Sequence, residues 1–377
     1  MSQKIHFKGL DGLRFYAALS VVVQHIMYSP NDWYGDPSLP DTVGRFFISG
    51  NDHVNLFFVL SGFLIIYLLL KEREQHGKIS VRKFYIRRIL RIWPLYYLII
   101  ALAGIVLPLL LTGFTSPLSR QGLALLLLCF LGNFAFPMYI PYPPLEHLWS
   151  IAVEEQFYLI VPHLVRLKVH LAKLLVGFLV IYWLIWFITQ RTLPAALFSF
   201  LLVIRYDCIA IGGLFACILY YRSPLLKWIY HPLAGYGALL AVAMMAAFIH
   251  EGWDALVYTV ATCFIFGILI LNVSTNPKFR LKLDHPWLEY GGKFSYGIYM
   301  YHPLILLTFR WLFYGKLETA LYQFLIYPVV IGLTLLVSAL SYLYFERRFL
   351  NLKDRFSPLM SAVPSSPVVL ERSPDNL

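Results

Sequence analysis

Long apolar stretches alternate with short polar connectors along almost the whole chain of 377 residues. Stretches of this length with few charges are typical of membrane-spanning helices, which need about 20 apolar residues to cross a bilayer. Eleven windows qualify, near 10–28, 53–71, 84–112, 120–135, 149–165, 172–189, 196–221, 232–250, 254–272, 295–314 and 319–345. The pattern predicts an all-α, polytopic transmembrane helical bundle.

Charges in the connectors predict how these helices are oriented, because Lys and Arg collect on the cytoplasmic side. Connector 29–52, with four aspartates and one arginine, is placed outside. The basic N-terminus and five basic connectors are placed inside, namely those near 75, 170, 225, 280 and 350. Both termini are therefore predicted to be cytoplasmic.

This orientation requires windows 120–135 and 149–165 together to make an odd number of crossings, so one of them does not cross. The Pro-rich connector FPMYIPYPPLEH between them is typical of an irregular segment, which membranes tolerate only where it is buried in protein or lines a cavity. We predict about ten crossings plus one re-entrant or non-crossing segment.

Domain organisation is predicted to be simple, with one membrane-embedded domain over 1–353. The remaining residues, 354–377, are rich in Pro and Ser and are predicted to form a disordered cytoplasmic tail. No small-residue cleavage site follows the first apolar stretch, so we expect the first helix to remain in the mature protein.

Composition agrees with a membrane protein, since 59% of the residues are hydrophobic, 14% are charged and the mean hydropathy is +0.67. The net charge of +11 lies in short connectors and not on a basic domain, so we expect no nucleic-acid partner. The four cysteines lack the spacing of a disulfide framework or a zinc site, and no metal is expected; they are Cys129, Cys208, Cys217 and Cys263.

Two ionisable residues, Arg14 and His25, lie on the first apolar stretch. Eleven residues of helix advance about 16 Å and return to within roughly 20° of the starting direction, so both side chains share one face at different depths. Asp11 joins this face one turn earlier. Such groups in a membrane helix cost several kcal/mol unless a cavity or partner receives them, which favours function. Alternatively, Arg14 extends to the headgroups and His25 is a packed polar residue.

The segment HLWSIAVEEQFYLIVP places Ser150 and Glu154 on one helical face, with Glu155 beside them and His147 one turn upstream of Ser150. A carboxylate here could orient His25 and stabilise its imidazolium, as the acidic member of a catalytic triad does. The alternative is a structural ion pair between one of the glutamates and a membrane arginine.

At the start of the third window, Arg88 and Arg91 are i, i+3 neighbours, and Arg87 lies alongside. Arg91 precedes IWPLYYLII and is expected at the bilayer boundary, where its planar guanidinium could bind phosphate with two hydrogen bonds. A cytoplasmic polyphosphate donor and a lipid headgroup are both candidate ligands.

Arg205 and Asp207 form a third buried set in SFLLVIRYDCIAIGGLFA, where Gly212 and Gly213 permit close helix approach. Two residues apart on a helix they face different directions, so we expect each to pair with another helix. Structural and functional interpretations are both open.

The segment KFSYGIYMYHPLI places Ser295, Tyr299 and His302 along one helical face, with Pro303 bending the helix. His302 is near the start of this helix, on the side predicted to be cytoplasmic. We interpret it as a packed interfacial residue and not as a catalytic base.

Together these segments resemble the acyltransferase-3 family of integral membrane acyltransferases. The resemblance rests on GLDGLRFYAALSVVVQH, NLFFVLSGFLI, FYIRRILRIWPLYYL, HLWSIAVEEQFYLI, RYDCIAIGGLFA, FSYGIYMYHPLI and FERRF, in the family's order over roughly residues 8–350. The family's Arg-x10-His, Arg-x-x-Arg and Ser-x-x-x-Glu motifs fall on Arg14 and His25, Arg88 and Arg91, and Ser150 and Glu154.

The resemblance implies an O-acetyltransferase of the cell inner membrane. Its members move an acyl group, usually acetyl, from cytoplasmic acyl-CoA to a hydroxyl of an extracytoplasmic or membrane-associated acceptor such as a surface glycan. Some members have a C-terminal extracytoplasmic SGNH hydrolase-like domain. The present sequence ends before one, so a separate extracytoplasmic partner could complete the transfer.

We therefore assign candidate roles to the residues above. The catalytic candidates are His25, Glu154 and Arg14, and the candidates for binding acetyl-CoA are Arg88, Arg91 and Arg14. The substrate or support candidates are Asp11, Ser150, Glu155, Arg205, Asp207 and Tyr299. By helical rise His25 lies toward the outer leaflet, where it could take the acyl group or remove a proton from the acceptor hydroxyl.

The main alternative is a multi-helix transporter of a small polar or glycolipid solute, because buried charges and broken helices also form transport pathways. No inverted repeat is visible in the sequence.

Overall fold

The computed structural model describes residues 7–27, 52–111, 115–120, 122–138, 140, 143–167, 170–248 and 255–356. These residues are helical with connecting turns and contain no β-strand, so the predicted all-α class is confirmed for them. Most of the predicted outer connector, up to residue 51, and the tail from residue 357 lie outside the described residues.

The α-helices of the described part follow one another in chain order as α1 (Leu10–Met27), α2 (Asp52–His76), α3 (Val81–Ala101), α4 (Leu107–Leu110), α5 (Leu123–Leu128), α6 (Leu148–Arg166), α7 (Leu171–Thr192), α8 (Ala195–Leu202), α9 (Tyr206–Tyr220), α10 (Leu225–Ile229), α11 (Pro232–Phe248), α12 (Ala255–Thr275), α13 (Pro286–Lys293), α14 (Ser295–Phe313), α15 (Thr319–Ser341) and α16 (Arg347–Asp354). Two π-helical turns, Leu102–Val106 and Tyr342–Glu346, connect α3 to α4 and α15 to α16 without a break.

Six helical segments of the described part are long and apolar enough to cross a membrane, judged by length and composition. They are Asp52–His76, Val81–Leu110, Leu171–Thr192, Leu197–Tyr220, Leu256–Thr275 and Thr319–Lys353. This indicates a multi-pass membrane protein. The count of about ten crossings and the cytoplasmic position of both termini stay predictions.

Window 120–135 does not form one long helix. It contains the six-residue α5 and a 3-10 turn at Gly132–Ala135. Six residues of α-helix rise only about 9 Å, far less than the roughly 30 Å of a bilayer core. Window 149–165, in contrast, lies within the continuous 19-residue α6.

Helices α2 and α9 pack backbone against backbone. A Cβ atom added to Gly62 would lie 1.9 Å from the carbonyl oxygen of Ile209, and one added to Gly212 would lie 2.1 Å from that of Val59. The close approach predicted at Gly212 is confirmed, with Gly62 supplying the facing surface.

The start of α1 packs against the connector before α13 and against α13 itself. A Cβ atom on Gly12 would lie 2.6 Å from the carbonyl oxygen of Leu283, and one on Gly292 would lie 2.3 Å from that of Asp11. These contacts bring α14, which directly follows α13, alongside α1.

Candidate active site

A cavity of about 300 Å³ lies between α1, α2, α3, α6 and α14. This volume is at the lower end of the range of about 300 to 1,000 Å³ that is usual for ligand pockets. Eight lining residues belong to α2 and are mostly apolar: Val54, Phe57, Phe58, Leu60, Ser61, Leu64, Ile65 and Leu68. Fourteen residues of helix rise about 21 Å, so the cavity is long and narrow.

Three arginines from two helices line this cavity: Arg14, Arg88 and Arg91. Arg14 donates a hydrogen bond from Nη1 to Oδ1 of Asp11 at 2.9 Å. In the described part of the chain, no carboxylate forms an ion pair with Arg88 or Arg91. Nε of Arg88 is buried without a hydrogen-bond partner there, whereas Arg91 is exposed. The structure brings the three arginines to one cavity, and their excess positive charge suits an anionic ligand; that they bind one together stays a prediction.

Arg87 has a different environment from its two neighbours. Its Nη2 lies 3.0 Å from Oε2 of the buried Glu72, and its Nη1 donates to the carbonyl oxygen of Phe356 at 3.0 Å. Glu72 also accepts from the backbone N–H of Ser80. Arg87 therefore connects α2, α3 and the turn after α16, and it does not line the cavity.

Glu154 lines the cavity and accepts a hydrogen bond from the hydroxyl of Tyr158 at 2.9 Å. The Tyr158 hydroxyl also hydrogen-bonds Ser61, and the guanidinium of Arg88 lies 5.8 Å from the Tyr158 ring centroid. Glu154 thus belongs to the arginine end of the cavity. Nδ1 of His25 lies 2.9 Å from the carbonyl oxygen of Val21, so the structure shows no hydrogen bond between Glu154 and this nitrogen, and the orienting role of Glu154 stays a prediction.

The adjacent Glu155 points elsewhere. It is buried, and its Oε2 accepts from the indole N–H of Trp93 at 2.9 Å. Its other oxygen has no hydrogen-bond partner among the described residues. The structure therefore places Glu155 behind the cavity wall, in contact with α3.

Two hydroxyl groups mark another part of the cavity. Oγ of Ser150 lies 2.7 Å from the hydroxyl of Tyr299, and both reach the carbonyl oxygen of His147. Phe57 lies against the Tyr299 ring at 6.0 Å, which places this pair near the beginning of α2. Ser150 is one helical turn from Glu154 on α6, so the hydroxyl pair lies next to the part of the cavity that contains the arginines.

Four histidines from different segments cluster beyond the hydroxyl pair. The ring centroids of His25 and His302 are 4.9 Å apart, those of His147 and His302 are 5.5 Å apart, and those of His25 and His53 are 6.5 Å apart. Tyr299 adjoins this cluster, with its ring 5.4 Å from His147 and 5.8 Å from His302. His25 itself does not line the cavity.

His302 is completely buried, which agrees with its prediction as a packed residue, and its position at the membrane interface stays a prediction. The physical reason is the packing of α13 and its preceding connector against the start of α1. This contact places His302, seven residues after the start of α14, at the same level as His25. Within the described ranges, no group of three or more His, Cys, Asp or Glu side chains is arranged to hold a metal ion.

Sequence reasoning missed His53 and gave no role to Arg310. The predicted topology places the start of α2, where His53 lies, on the same side of the membrane as the end of α1, where His25 lies. Their similar depth in the membrane could have identified His53 as a neighbour of His25. Arg310 is buried, and its Nη2 donates to the carbonyl oxygen of Ile26 at 3.0 Å. It therefore stabilises the last turn of α1 beside His25.

Arg205 and Asp207 lie outside the cavity lining. The expected pairing with another helix is found for Arg205, which also lies close to its neighbour: its Nε is 3.9 Å from Oδ1 of Asp207. Arg205 precedes α9 with non-helical dihedrals (φ −98°, ψ 39°), and the directions of an ideal helix do not apply to it. Its Nη2 also donates to Asn55 on α2 at 3.2 Å, as expected for a pair between helices.

Residues 7–343 match the family described as an acyltransferase domain. The chain is 29% identical over 334 residues to the peptidoglycan O-acetyltransferase OatA of Listeria monocytogenes strain EGD-e, covering 79% of this chain and 49% of that protein. It is 26% identical over 377 residues to the O-acetyltransferase OatA of Staphylococcus aureus strain NCTC 8325, covering 90% of this chain and 57% of that protein.

The chain spans about half the length of these relatives. No solved structure matches it. The family match includes every residue that lines the cavity and every histidine of the cluster. The chain therefore belongs to the acyltransferase-3 family of membrane proteins, as its motifs predict.

Proposed function

We propose that this protein is an O-acetyltransferase that moves an acetyl group from cytoplasmic acetyl-CoA to a hydroxyl of an extracytoplasmic glycan. The main support is one cavity that is lined both by three arginines and by a hydroxyl pair, with a histidine cluster next to that pair. The names of the relatives support the reaction class, and one of them names peptidoglycan as the acceptor.

The arginine end suits the donor. Coenzyme A has a diphosphate and a further phosphate, and a planar guanidinium binds phosphate through two parallel hydrogen bonds. Arg88 and Arg91 have no ion pair among the described carboxylates, so their charge is available to such a ligand. The long pantetheine arm then extends along the apolar face of α2 and brings the thioester toward Ser150 and Tyr299.

The histidine end suits the transfer step. Because the carbonyl oxygen of Val21 can only accept, the proton of neutral His25 is on Nδ1 and its Nε2 has the free electron pair. His25 could remove the proton from the acceptor hydroxyl, or it could take the acetyl group and pass it on. Tyr299 lines the cavity and adjoins His302, and His302 adjoins His25, so acyl transfer at His25 requires both side chains to move when the donor is bound.

In the general-base route, the acceptor oxygen bonds to the acetyl carbon and the bond between that carbon and sulfur breaks. The hydroxyl proton moves to His25 and then to the sulfur. In the covalent route, Nε2 of His25 first receives the acetyl group and then gives it to the acceptor. Both routes yield an acetyl ester and the free thiol of coenzyme A.

The transporter alternative is not favoured. Its support was the presence of charged groups in apolar helices, and here three such arginines line one cavity together with the Ser150–Tyr299 hydroxyl pair. Membership in an acyltransferase family gives such a cavity a direct chemical use.

The test uses purified protein in proteoliposomes with acetyl-CoA labelled in the acetyl group and soluble peptidoglycan fragments as acceptor. We expect labelled acceptor and one free thiol for each acetyl group transferred, and loss of both in His25→Ala. Donor that stays intact across a range of glycan acceptors would contradict the proposal. Movement of an unmodified solute without thiol release would support a transporter instead.

A further inference from the structure

Tyr158 connects three of the helices that enclose the cavity. It lies on α6 and lines the cavity together with Ser61 of α2 and Arg88 of α3. Its hydroxyl hydrogen-bonds Ser61 and donates to Oε2 of Glu154 at 2.9 Å. Its ring centroid lies 5.8 Å from the guanidinium carbon of Arg88. One side chain therefore contacts a carboxylate and an arginine of the proposed donor site at the same time.

The hydrogen bonds of the Tyr158 hydroxyl have a defined direction. A phenol has a single proton, and an ionised carboxylate can only accept, so this proton is donated to Glu154. The oxygen of Tyr158 then accepts from the hydroxyl of Ser61. Ser61 of α2 thus holds Tyr158, and Tyr158 holds the carboxylate of Glu154.

Arg88 is held by aromatic rings and not by a carboxylate. Its guanidinium carbon lies 5.8 Å from the ring centroids of both Phe84 and Tyr158, within the range of a cation–π interaction. Among the described residues no carboxylate forms an ion pair with it, and its buried Nε has no hydrogen-bond partner there. Contact with a ring face uses none of the guanidinium N–H donors, so they remain for a ligand.

Glu154 is the carboxylate that could occupy those donors. It lines the same cavity as Arg88 and Arg91, and both arginines attract its negative charge. A guanidinium binds a carboxylate and a phosphate with the same planar pair of hydrogen bonds, so a carboxylate paired with Arg88 would exclude a phosphate. In the structure, Glu154 accepts its hydrogen bond from Tyr158 and forms no ion pair with either arginine.

We infer that Tyr158 is a positioning residue of the donor site, which keeps the Glu154 carboxylate from pairing with Arg88 and Arg91. Both guanidinium groups then stay available to the phosphates of the donor. This inference rests on the proposed function, in which acetyl-CoA binds at these arginines. The ring of Tyr158 supports Arg88, its hydroxyl restrains Glu154, and Tyr158 takes no part in the transfer of the acetyl group.

The test measures the Kd for acetyl-CoA in nanodiscs by isothermal titration, in Tyr158→Phe, Glu154→Gln and the double variant. Tyr158→Phe keeps the ring beside Arg88 but releases Glu154, which then competes with phosphate, so we expect Kd to rise about tenfold. In the double variant the released side chain is neutral. Its Kd should return to within about twofold of the value for Glu154→Gln alone.

This rescue distinguishes the inference from a structural role of Tyr158. If the hydroxyl only packs the cavity wall or contacts the donor directly, its loss should weaken binding equally whether or not the carboxylate of Glu154 is present. Additive effects of the two substitutions would therefore overturn the inference. An unchanged Kd in Tyr158→Phe would overturn it as well.

Tyr96→Phe is the matched control. Tyr96 is also buried, and its hydroxyl donates to the carbonyl oxygen of Leu127 at 2.8 Å, but it does not line the cavity. Its substitution removes one buried hydrogen bond without releasing a carboxylate, so donor affinity should stay at the wild-type value. An equal rise of Kd in Tyr96→Phe and Tyr158→Phe would assign the effect to lost packing and contradict the role of Tyr158.

Failure of the proposed function would give a different result. A wild-type protein that binds no acetyl-CoA would contradict the donor site itself. Donor binding by the wild type, with no rescue by Glu154→Gln, contradicts only the role of Tyr158.

Discussion

Replacing Arg91 with alanine should weaken acetyl-CoA binding about tenfold without unfolding the protein. A hydrogen bond to a charged group is worth about 1.5 to 3 kcal/mol. Arg91 is one of three arginines that line the cavity, so the others can keep part of the binding and we use the lower value. A loss of about 1.5 kcal/mol corresponds to about a tenfold increase in Kd. Arg91→Lys keeps the charge but loses the planar pair of donors, and should lie between alanine and wild type.

Isothermal titration of the protein in nanodiscs measures these affinities directly. Arg87→Ala is the matched control, because Arg87 is four residues away and equally charged but does not line the cavity. Its affinity for acetyl-CoA should stay at the wild-type value. Its thermal stability should fall, since the buried carboxylate of Glu72 loses its ion pair.

Two results would refute this reasoning. Unchanged Kd in Arg88→Ala, Arg91→Ala and the double variant would remove both arginines from the donor site. Equal weakening in Arg87→Ala would show that general positive charge, and not the cavity, attracts the donor. Repeating the titrations in nanodiscs of neutral and of anionic lipid tests the remaining alternative, since a headgroup site would be blocked by anionic lipid.

Three further predictions follow from the geometry. His25→Ala should nearly abolish acyl transfer but leave donor affinity within twofold of wild type, whereas Glu154→Gln, near the arginines, should reduce turnover less. Single-turnover assays with labelled donor measure both variants. Full activity in His25→Ala would contradict the catalytic assignment. Gly62→Ala should destabilise the protein by about 3 kcal/mol or prevent folding, because its Cβ would lie 1.9 Å from a backbone oxygen, while Gly177→Ala, with open space at its Cβ, should be neutral or stabilising in thermal unfolding. Cysteines introduced at 170 and 280 should be labelled only from the cytoplasmic side; labelling of 170 from outside contradicts the predicted orientation.

Helical class, and the location of the arginines, could be predicted from the sequence because both follow from short-range patterns. Apolar runs identify helices, and i, i+3 spacing places Arg88 and Arg91 on one face. The close packing at Gly212 followed from the same kind of local signal, since residues without side chains allow backbones to approach.

Contacts between helices could not be predicted in this way. The sequence suggests that Glu154 could orient His25, but in the structure its carboxylate accepts a hydrogen bond from Tyr158, four residues along the same helix. The burial of His302 depends on how α13 packs against α1, and no periodicity in the sequence indicates that contact. The Arg205 contact with Asp207 depends on irregular backbone before α9, where helical spacing rules do not hold.

The glycine contact between α2 and α9 determines which walls of the cavity can move. Helices in backbone contact cannot slide or rotate past each other without steric overlap, because packed interiors have little free volume. Since α2 supplies eight lining residues, one long side of the cavity is a fixed surface. Widening to admit a donor must then come from displacement of α1, α3, α6 or α14, so spin labels on those helices, and not on α2, should report the motion.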